Sequence, residues 1–352
     1  MKFDLEKLVR NNIRELQPYS SARLEYTGKE GAIFLDANEN PFGSPLQEQY
    51  NRYPDPLQRQ MKFQLSQIKD VPEENIFVGN GSDEVIDLAY RIFCNPSEDN
   101  VIICPPTYGM YEVSAHINDT GVKKVNLTTG FQLDLEGIRD AITAQTKIIF
   151  ICSPNNPTGN NMSHGDIRTL LNIFPGIVMI DEAYIDYSEE ETFTSKLSEY
   201  PNLVVMQTLS KAWGLAGLRL GICYASRSII ELFNKVKPPY NINGSSQLLA
   251  IQALENSDQV NDWVKETVSQ RKLLETALIR YPFVLEVYQS AANFILLKVR
   301  DANLLYQFLS GKGIIVRNRT KEILCNNCLR ITVGTTEQND IILKAFHTYE
   351  QE

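Results

Sequence analysis

The stretch GIVMIDEAY (176–184) places four apolar residues, Ile177 to Ile180, directly before a carboxylate, Asp181. A strand that is apolar at every position, rather than at alternate ones, is covered on both faces, as in a parallel sheet between layers of helices. Ligands bind beyond the carboxyl ends of such strands. A carboxylate is costly to bury there unless it meets a cation. The stretch therefore predicts a central strand that carries Asp181 to a binding site, the alternative being that Asp181 only caps the following turn.

The same kind of segment recurs on both sides of this strand. Between residues 70 and 240, short β-rich runs alternate with helical patterns, which is typical of an α/β domain with a mainly parallel sheet. The candidate strands are residues 75–79, 100–106, 123–127, 146–154, 176–184, 202–208 and 218–225. We therefore predict a large α/β domain with a seven-stranded sheet between helices.

A second unit follows the proline-rich segment KPPYNIN (237–243). After it, two helices, a pair of strands, a helix and two more strands predict a smaller α+β domain. We place an N-terminal arm at residues 1–30, the large domain at 31–238 and the small domain at 239–352. The first sixteen residues have the apolar spacing of a short amphipathic helix, and we expect the arm to pack with the small domain.

The composition excludes several classes of function. The chain has 352 residues and a net charge of −9, without a basic run, which argues against a nucleic-acid partner. No apolar segment is long enough for a membrane helix, and the N-terminus lacks the apolar block of a secretory signal. The cysteines lie mostly in apolar runs, and the pair in CNNC (325–328) is interpreted as loop thiols, so we predict no metal site and a reducing, cytoplasmic setting.

An anion site is predicted after the first strand of the large domain, in FVGNGSDEVIDL (77–88). Gly79 and Gly81 allow a ligand to approach the backbone, and Ser82 or Asp83 begins a helix whose free N–H groups favour an anion. A serine or aspartate at this position also serves as a structural helix cap. The segment matches neither the Walker nor the dinucleotide-binding pattern.

Two further segments are predicted to reach the same edge of the sheet. SPNNPTGN (153–160) follows an apolar strand, and an asparagine there can donate to a ligand oxygen, although asparagine and proline are also ordinary turn residues. TLSKAWGLAGLRLG (208–221) places Lys211 among small and apolar residues. Desolvation there would lower the pKa of the amine and make it a nucleophile. A reactive lysine, a carboxylate and a helix N-terminus together suit pyridoxal 5′-phosphate.

The four segments just described, which follow one another in the chain at 77–88, 153–160, 176–184 and 208–221, resemble in this order the motifs of the fold-type I pyridoxal-phosphate aminotransferases. The resemblance implies that Lys211 forms an imine with the cofactor and then moves a proton, while Asp181 keeps the pyridine nitrogen protonated. It implies that Asn156 and Tyr184 contact the phenolic oxygen of the ring and that Tyr108 stacks on the ring. The cofactor phosphate would be held by residues of a cup: Gly81, Ser82, Asp83, Ser210 and Arg219.

Beyond this core, the chain is similar to the histidinol-phosphate aminotransferase family. LQPYSSARLE with Tyr19, LDANENPFG with Asn38 and NRYPDP with Tyr53 carry the similarity, together with Arg317 and Arg330. It implies that Tyr53 reaches the cofactor phosphate of a neighbouring subunit, and hence a homodimer with shared active sites.

The same similarity implies the substrates and their pocket. Imidazole acetol phosphate and L-glutamate would be converted to L-histidinol phosphate and 2-oxoglutarate. The substrate-binding residues would be Tyr19, Asn38, Asn156, Arg317 and Arg330. A dianionic phosphate favours two guanidinium groups, and Arg319 competes with Arg317 for the second position.

Other functions share the core motifs. An aromatic-amino-acid aminotransferase needs one arginine for its substrate carboxylate, and a phosphothreonine-type decarboxylase releases carbon dioxide without an oxo acid. A non-catalytic pyridoxal-phosphate-binding regulator would bring a DNA-binding module, for which we expect no room in this acidic chain.

Overall fold

A computed structural model describes residues 3–19, 21, 23, 33–46 and 50–351 of the protein. Its larger sheet has seven strands in the order β1-β7-β6-β5-β4-β2-β3. The strands are β1 (Ile76–Asn80), β2 (Asn100–Ile103), β3 (Gly121–Lys124), β4 (Thr146–Cys152), β5 (Ile177–Asp181), β6 (Leu203–Thr208) and β7 (Leu220–Ala225). Only β7 runs antiparallel to its neighbours, β1 and β6. The predicted, mainly parallel seven-stranded sheet is confirmed.

The helices of the large unit cover both faces of this sheet, as the apolar strands predict. Among the described residues up to 240, the α-helices are α1 (Leu5–Leu8), α2 (Asn11–Glu15), α3 (Arg59–Lys69), α4 (Ser82–Phe93), α5 (Met110–Ile117), α6 (Leu135–Ala141), α7 (His164–Ile173) and α8 (Arg227–Val236). One buried apolar cluster contains Ile149, Val178 and Val205, and the other contains Phe150, Met179 and Val204. Consecutive residues of one strand thus enter opposite cores, which accounts for the lack of alternation in the sequence.

The smaller unit is built on an antiparallel sheet in the order β10-β11-β9-β8. Its strands are β8 (Val284–Val287), β9 (Phe294–Val299), β10 (Arg317–Asn318) and β11 (Cys328–Thr332). Four helices accompany it in the sequence: α9 (Gly244–Leu254), α10 (Ser257–Leu278), α11 (Ala302–Gly311) and α12 (Thr336–Gln351). A separate apolar cluster, which includes Leu297, Leu329 and Phe346, forms its core.

The division between the two cores falls later in the chain than residue 239. Helix α9 packs on the large unit, where Ala250 and Leu254 join the main apolar cluster. The side chain of Gln247 donates to the Asp55 carbonyl at 3.0 Å. Leu274 and Leu278, near the end of α10, are the first described residues in the core of the small unit. The proline-rich segment therefore ends the α/β alternation without ending the large unit.

The N-terminal arm differs from the expectation in two ways. Its described part forms α1 and α2 instead of one helix, because the chain breaks at Arg10, whose backbone N–H donates to the Ile92 carbonyl at the end of α4. Leu8 and Ile13 join an apolar cluster of the large unit, and Lys235 on α8 donates to the Arg14 carbonyl at 2.8 Å. The described part of the arm therefore packs on the large unit and not on the small one.

Strand β3 begins and ends earlier than the predicted residues 123–127. It pairs with β2 over Gly121–Lys124. Beyond it, the backbone N–H groups of Val125 and Leu127 still donate to the carbonyls of Ile103 and Pro105, at 3.1 and 2.7 Å. The sequence pattern thus detects a continuing backbone ladder whose regular part lies upstream.

Candidate active site

A cavity of about 930 Å³ lies beyond the carboxyl ends of β4, β5 and β6 and extends to the small unit. Parallel strands bring the residues that follow them to one edge, which is why segments far apart in the sequence meet there. Most of the predicted site residues line it: Ser82, Asp83, Tyr108, Asn156, Asp181, Tyr184, Ser210, Lys211, Arg219, Arg317 and Arg330.

Asp181, the last residue of β5, is the buried carboxylate of this cavity. It is 4% exposed. One oxygen accepts the Tyr111 hydroxyl at 2.6 Å, and the other accepts the Ala183 backbone N–H at 3.0 Å. Burial is the largest influence on its pKa and raises it, whereas the hydrogen bond from Tyr111 and the charge of Lys211 act in the opposite direction. Such a carboxylate suits a cationic partner on its cavity side.

Lys211 follows β6 and projects into the open cavity. Its ammonium nitrogen lies 5.5 Å from the centre of the Tyr184 ring. Desolvation within the cavity lowers the pKa of the amine, the charge of Arg330 lowers it further, and Asp181 opposes them. The amine therefore loses its proton more easily than an ordinary lysine, as a nucleophile and proton carrier requires.

The start of α4 forms an anion site with Arg219. Gly81 has φ +80°, a backbone conformation that favours glycine, and the guanidinium of Arg219 lies against it, 2.6 Å from where a Cβ would stand. The Asp83 carboxylate is occupied by Arg219 at 3.1 Å and by the Tyr108 hydroxyl at 3.0 Å. The Asp83 carboxylate is negatively charged and would repel a phosphate, so its role here is to orient Arg219 and Tyr108. The part of Asp83 that suits a bound phosphate is its backbone N–H.

A second cationic group comes from the small unit. Arg330 on β11 donates to the Asn156 side chain, and its guanidinium carbon lies 5.0 Å from the Phe294 ring centre. Arg317 on β10 is the direct cross-strand partner of Arg330. Side chains of directly opposed residues in antiparallel strands share a face of the sheet. Arg317 and Arg330 can therefore act together on one anion.

Arg319 lines the same cavity but has an acidic partner. A terminal guanidinium nitrogen of Arg319 donates to Glu322 at 2.6 Å. No ion pair involves Arg317 among the described residues, although the charge of Arg319 lowers the pKa of Arg330 more than the charge of Arg317 does. The ion pair with Glu322 is thus a structural difference between the two arginines that the sequence leaves open.

Four predicted residues are not among those that line the cavity of their own chain, namely Gly81, Tyr19, Asn38 and Tyr53, and the last three have exposed side chains. Tyr53 is half-exposed and stacks on Tyr240, with ring centres 4.4 Å apart. Tyr19 is 74% exposed, and Asn38 is exposed with φ +53°. A single chain therefore leaves these three side chains facing outward.

Sequence reasoning missed Tyr111, which holds Asp181 from beneath the cavity. Tyr111 is fully buried and stacks on Phe150, with ring centres 4.8 Å apart. Its sequence position, three residues after Tyr108, gave a weak signal, because such spacing is usual for core aromatics. The pairing with Asp181 joins α5 to β5 and is visible only in three dimensions.

The residues present fit pyridoxal phosphate. The glycine-lined start of α4 with Arg219 can take the phosphate, Asp181 can face a protonated ring nitrogen, and the Lys211 amine can meet the aldehyde. Within the described residues, no group of three or more histidine, cysteine, aspartate or glutamate side chains could hold a metal ion. No described helix is both long and apolar enough to cross a membrane.

This fold and this arrangement define a fold-type I pyridoxal-phosphate transferase. Residues 44–346 match the family described as Aminotransferase class I and II. Over 349 residues, the chain is 52% identical to a histidinol-phosphate aminotransferase of Cytophaga hutchinsonii, covering 99% of this chain and 100% of that one. It is 51% identical to the Flavobacterium johnsoniae enzyme of the same name, covering 97% of each chain. The chain belongs to the class I and II aminotransferases and, within them, to the histidinol-phosphate aminotransferase family.

Solved structures show the same fold. Histidinol-phosphate aminotransferase from Clostridium acetobutylicum superposes with a TM-score of 0.79 at 23% identity, covering 86% of this chain and 91% of that one. The Sinorhizobium meliloti enzyme, solved in complex with pyridoxal-5′-phosphate, gives a TM-score of 0.79 at 21% identity and covers 90% of each chain. An L-threonine-O-3-phosphate decarboxylase from Porphyromonas gingivalis also matches, with a TM-score of 0.71 at 23% identity and coverage of 86% and 92%. These likenesses establish the fold and do not separate the reactions.

Proposed function

We propose that this chain is a pyridoxal-phosphate-dependent histidinol-phosphate aminotransferase of histidine biosynthesis. It would transfer the amino group of L-glutamate to imidazole acetol phosphate, giving 2-oxoglutarate and L-histidinol phosphate in two half-reactions. The observation that carries the proposal is identity of about half the residues over nearly the whole chain with enzymes of that name. The paired arginines on β10 and β11 support a substrate that ends in a phosphate.

Each residue of the cavity has a role in this proposal. Bound pyridoxal phosphate supplies an aldehyde and an electron-withdrawing ring that stabilises negative charge on the carbon bearing the amino group. The Lys211 amine would hold the cofactor at its aldehyde, and it would carry the proton between the substrate carbon that bears the amino group and the acceptor carbon. Asp181 keeps the ring nitrogen protonated.

The remaining residues bind and orient. Asn156 and Tyr184 would contact the phenolic oxygen of the ring, and Tyr108 would stack on the ring. Arg317 and Arg330 hold the substrate phosphate, or a carboxylate of glutamate in the other half-reaction. The cofactor phosphate is held by residues after β1 and β6: Gly81, Ser82, the backbone of Asp83, Ser210 and Arg219.

The proposed binding of the substrate phosphate by Arg317 can be tested directly. Arg317→Ala is expected to lower kcat/KM for histidinol phosphate by about ten- to a hundredfold, because it removes charge-assisted hydrogen bonds to a dianion. Transamination of phenylalanine should change much less. Rates of the first half-reaction, with each donor alone and no acceptor, measure both effects without involving the site's second role toward glutamate and 2-oxoglutarate.

Arg319→Ala is the matched comparison, since it removes the same side chain from the same cavity. A larger loss from this variant than from Arg317→Ala would assign the substrate phosphate to Arg319. A wild-type enzyme that prefers phenylalanine would favour an aromatic-amino-acid aminotransferase. Release of carbon dioxide from phosphothreonine without an oxo acid would favour the decarboxylase, and absence of turnover would favour a regulator.

We further propose a cytoplasmic homodimer with shared active sites. Tyr53 is half-exposed, and other apolar side chains of the same part of the chain are exposed, including Leu35 (85% exposed) and Phe42 (98% exposed). Such apolar exposure is typical of a surface covered by a partner, and here the partner would be a second copy. Tyr19, Asn38 and Tyr53 would then complete the site of the other subunit. Six free, buried thiols fit a reducing compartment.

Complementation tests the shared site. Tyr53→Ala and Lys211→Ala are each expected to impair activity strongly. Co-expression should restore activity above that of either variant, because one site of the mixed dimer then receives Lys211 from one chain and Tyr53 from the other. Mixed dimers without restored activity would place both residues in the same site or Tyr53 outside it.

A further inference from the structure

The hydroxyl of Tyr111 makes the only side-chain hydrogen bond that Asp181 receives among the described residues, at 2.6 Å. Tyr111 lies on α5, and its fully buried ring stacks on Phe150 with an interplanar angle of 14°. The edge of the ring meets Tyr108, with centres 5.6 Å apart. The ring is therefore fixed on two sides, and its hydroxyl is aimed at the carboxylate.

This hydrogen bond opposes the main electrostatic effect of burial. Burial favours the uncharged carboxylic acid over its anion, because the anion loses its hydration. Desolvation therefore raises the pKa of Asp181. A donated hydrogen bond stabilises the anion without adding a formal charge to the site. Desolvation also raises the pKa of the Tyr111 hydroxyl well above its usual range, so that the hydroxyl keeps its proton and stays a donor.

The two hydrogen bonds to Asp181 also fix its orientation. Tyr111 engages one carboxylate oxygen from α5, and the Ala183 backbone N–H engages the other. A carboxylate held at both oxygens cannot rotate freely about its terminal bond, and each oxygen keeps acceptor capacity for a partner in the cavity that Asp181 lines.

We propose that Tyr111 is a positioning residue, which keeps Asp181 ionised and oriented so that Asp181 can hold the ring nitrogen of the cofactor in its protonated form. The inference rests on the function proposed above, and it assigns to α5 a part in cofactor chemistry that the motifs do not indicate. Without Tyr111, the proton shared between Asp181 and the ring nitrogen would shift toward Asp181, and the ring would withdraw electrons less strongly.

Tyr111→Phe removes only the hydroxyl and keeps the stack on Phe150. Tyr90→Phe is the matched control, since Tyr90 is fully buried and stacks on the same Phe150 ring at 5.5 Å. Its hydroxyl donates to the backbone carbonyl of Tyr111 at 2.7 Å and makes no hydrogen bond to Asp181. Thermal unfolding of the two cofactor-free variants verifies that both are folded.

Two measurements besides activity report on the proposal. Titration of the cofactor-free protein with pyridoxal phosphate should give a dissociation constant about tenfold or more higher for Tyr111→Phe, because a hydrogen bond to a charged group is lost. The pH midpoint of the visible absorption band of the loaded protein should rise by about one unit, because less positive charge on the ring favours a proton on the Lys211 nitrogen. Tyr90→Phe should match the wild type in both.

A double-mutant cycle separates positioning from a purely structural role. If Tyr111 acts through Asp181, Tyr111→Phe should change neither the dissociation constant nor the midpoint when Asp181 is already asparagine. Equal effects in both backgrounds, or a Tyr111→Phe variant that behaves as Tyr90→Phe, would overturn the proposal. A colourless wild-type protein that binds no pyridoxal phosphate would instead overturn the proposed function itself.

Discussion

Replacement of Lys211 by alanine is expected to lower the rate of transamination by on the order of a thousandfold or more, because the amine that carries the proton is lost. Lys211 is the only lysine placed between β6 and β7, and Lys321 and Lys124, the other lysines lining the described cavity, come from separate segments. Neither is positioned next to Tyr184 as Lys211 is, so a neighbouring amine should not restore the reaction.

Single-turnover kinetics with histidinol phosphate measure this loss directly. Borohydride treatment followed by peptide mapping should fix pyridoxal phosphate on Lys211 in the wild type and not on the variant. Lys265→Ala is the control, because Lys265 is a 76%-exposed lysine of α10 paired only with Asp262. A label at another lysine, or full activity of Lys211→Ala, would refute the assignment.

Asp181→Asn is expected to produce the second large effect. The substitution keeps the shape of the side chain and removes its charge, which leaves a protonated ring nitrogen without its counter-ion in a buried position. Loss of one partner from a buried ion pair costs about 3–5 kcal/mol, which corresponds to roughly two to four orders of magnitude. We expect this loss to be divided between weaker cofactor binding and a lower kcat at saturating cofactor.

Cofactor titration and kcat at saturation separate these two contributions. Asp99→Asn is a matched control, since Asp99 is a buried carboxylate immediately before β2, at the opposite edge of the same sheet. It lies 3.6 Å from Lys147 and outside the cavity, so its loss should affect stability rather than cofactor affinity. Equal loss of affinity in both variants would indicate a general destabilisation and contradict the role of Asp181.

The sequence predicted well those parts of the fold whose burial and ends are encoded within a single strand. Ile177 to Ile180 are apolar at every position because consecutive residues are buried in two different apolar clusters, one on each face of the sheet. Asp181 follows them because the strand ends at the edge of the sheet where the cavity lies. The order of the motifs then requires a common edge, since parallel strands deliver their carboxyl ends together. The sequence alone therefore predicts that Lys211 lies near Asp181.

The boundaries and the arm were predicted less well, for a physical reason. Apolar spacing identifies a face that is buried, and it does not identify the surface that buries it. Leu8 and Ile13 would satisfy either unit, and the backbone contact of Arg10 with Ile92 selects the large one. Likewise, the sequence pattern predicts α9 as the first helix of the small domain, whereas α9 packs on the large unit.

By itself, the sequence determined the α/β architecture, the ligand edge and the residue types for pyridoxal phosphate, because local periodicity and strand ends encode these properties. Only the tertiary structure decided that Tyr111 supports Asp181, that Glu322 occupies Arg319, and that Arg317 lies opposite Arg330. These are pairings between segments whose separation in the chain carries no spacing rule. Their energies depend on distance and burial in the folded molecule, which one strand or helix alone does not define.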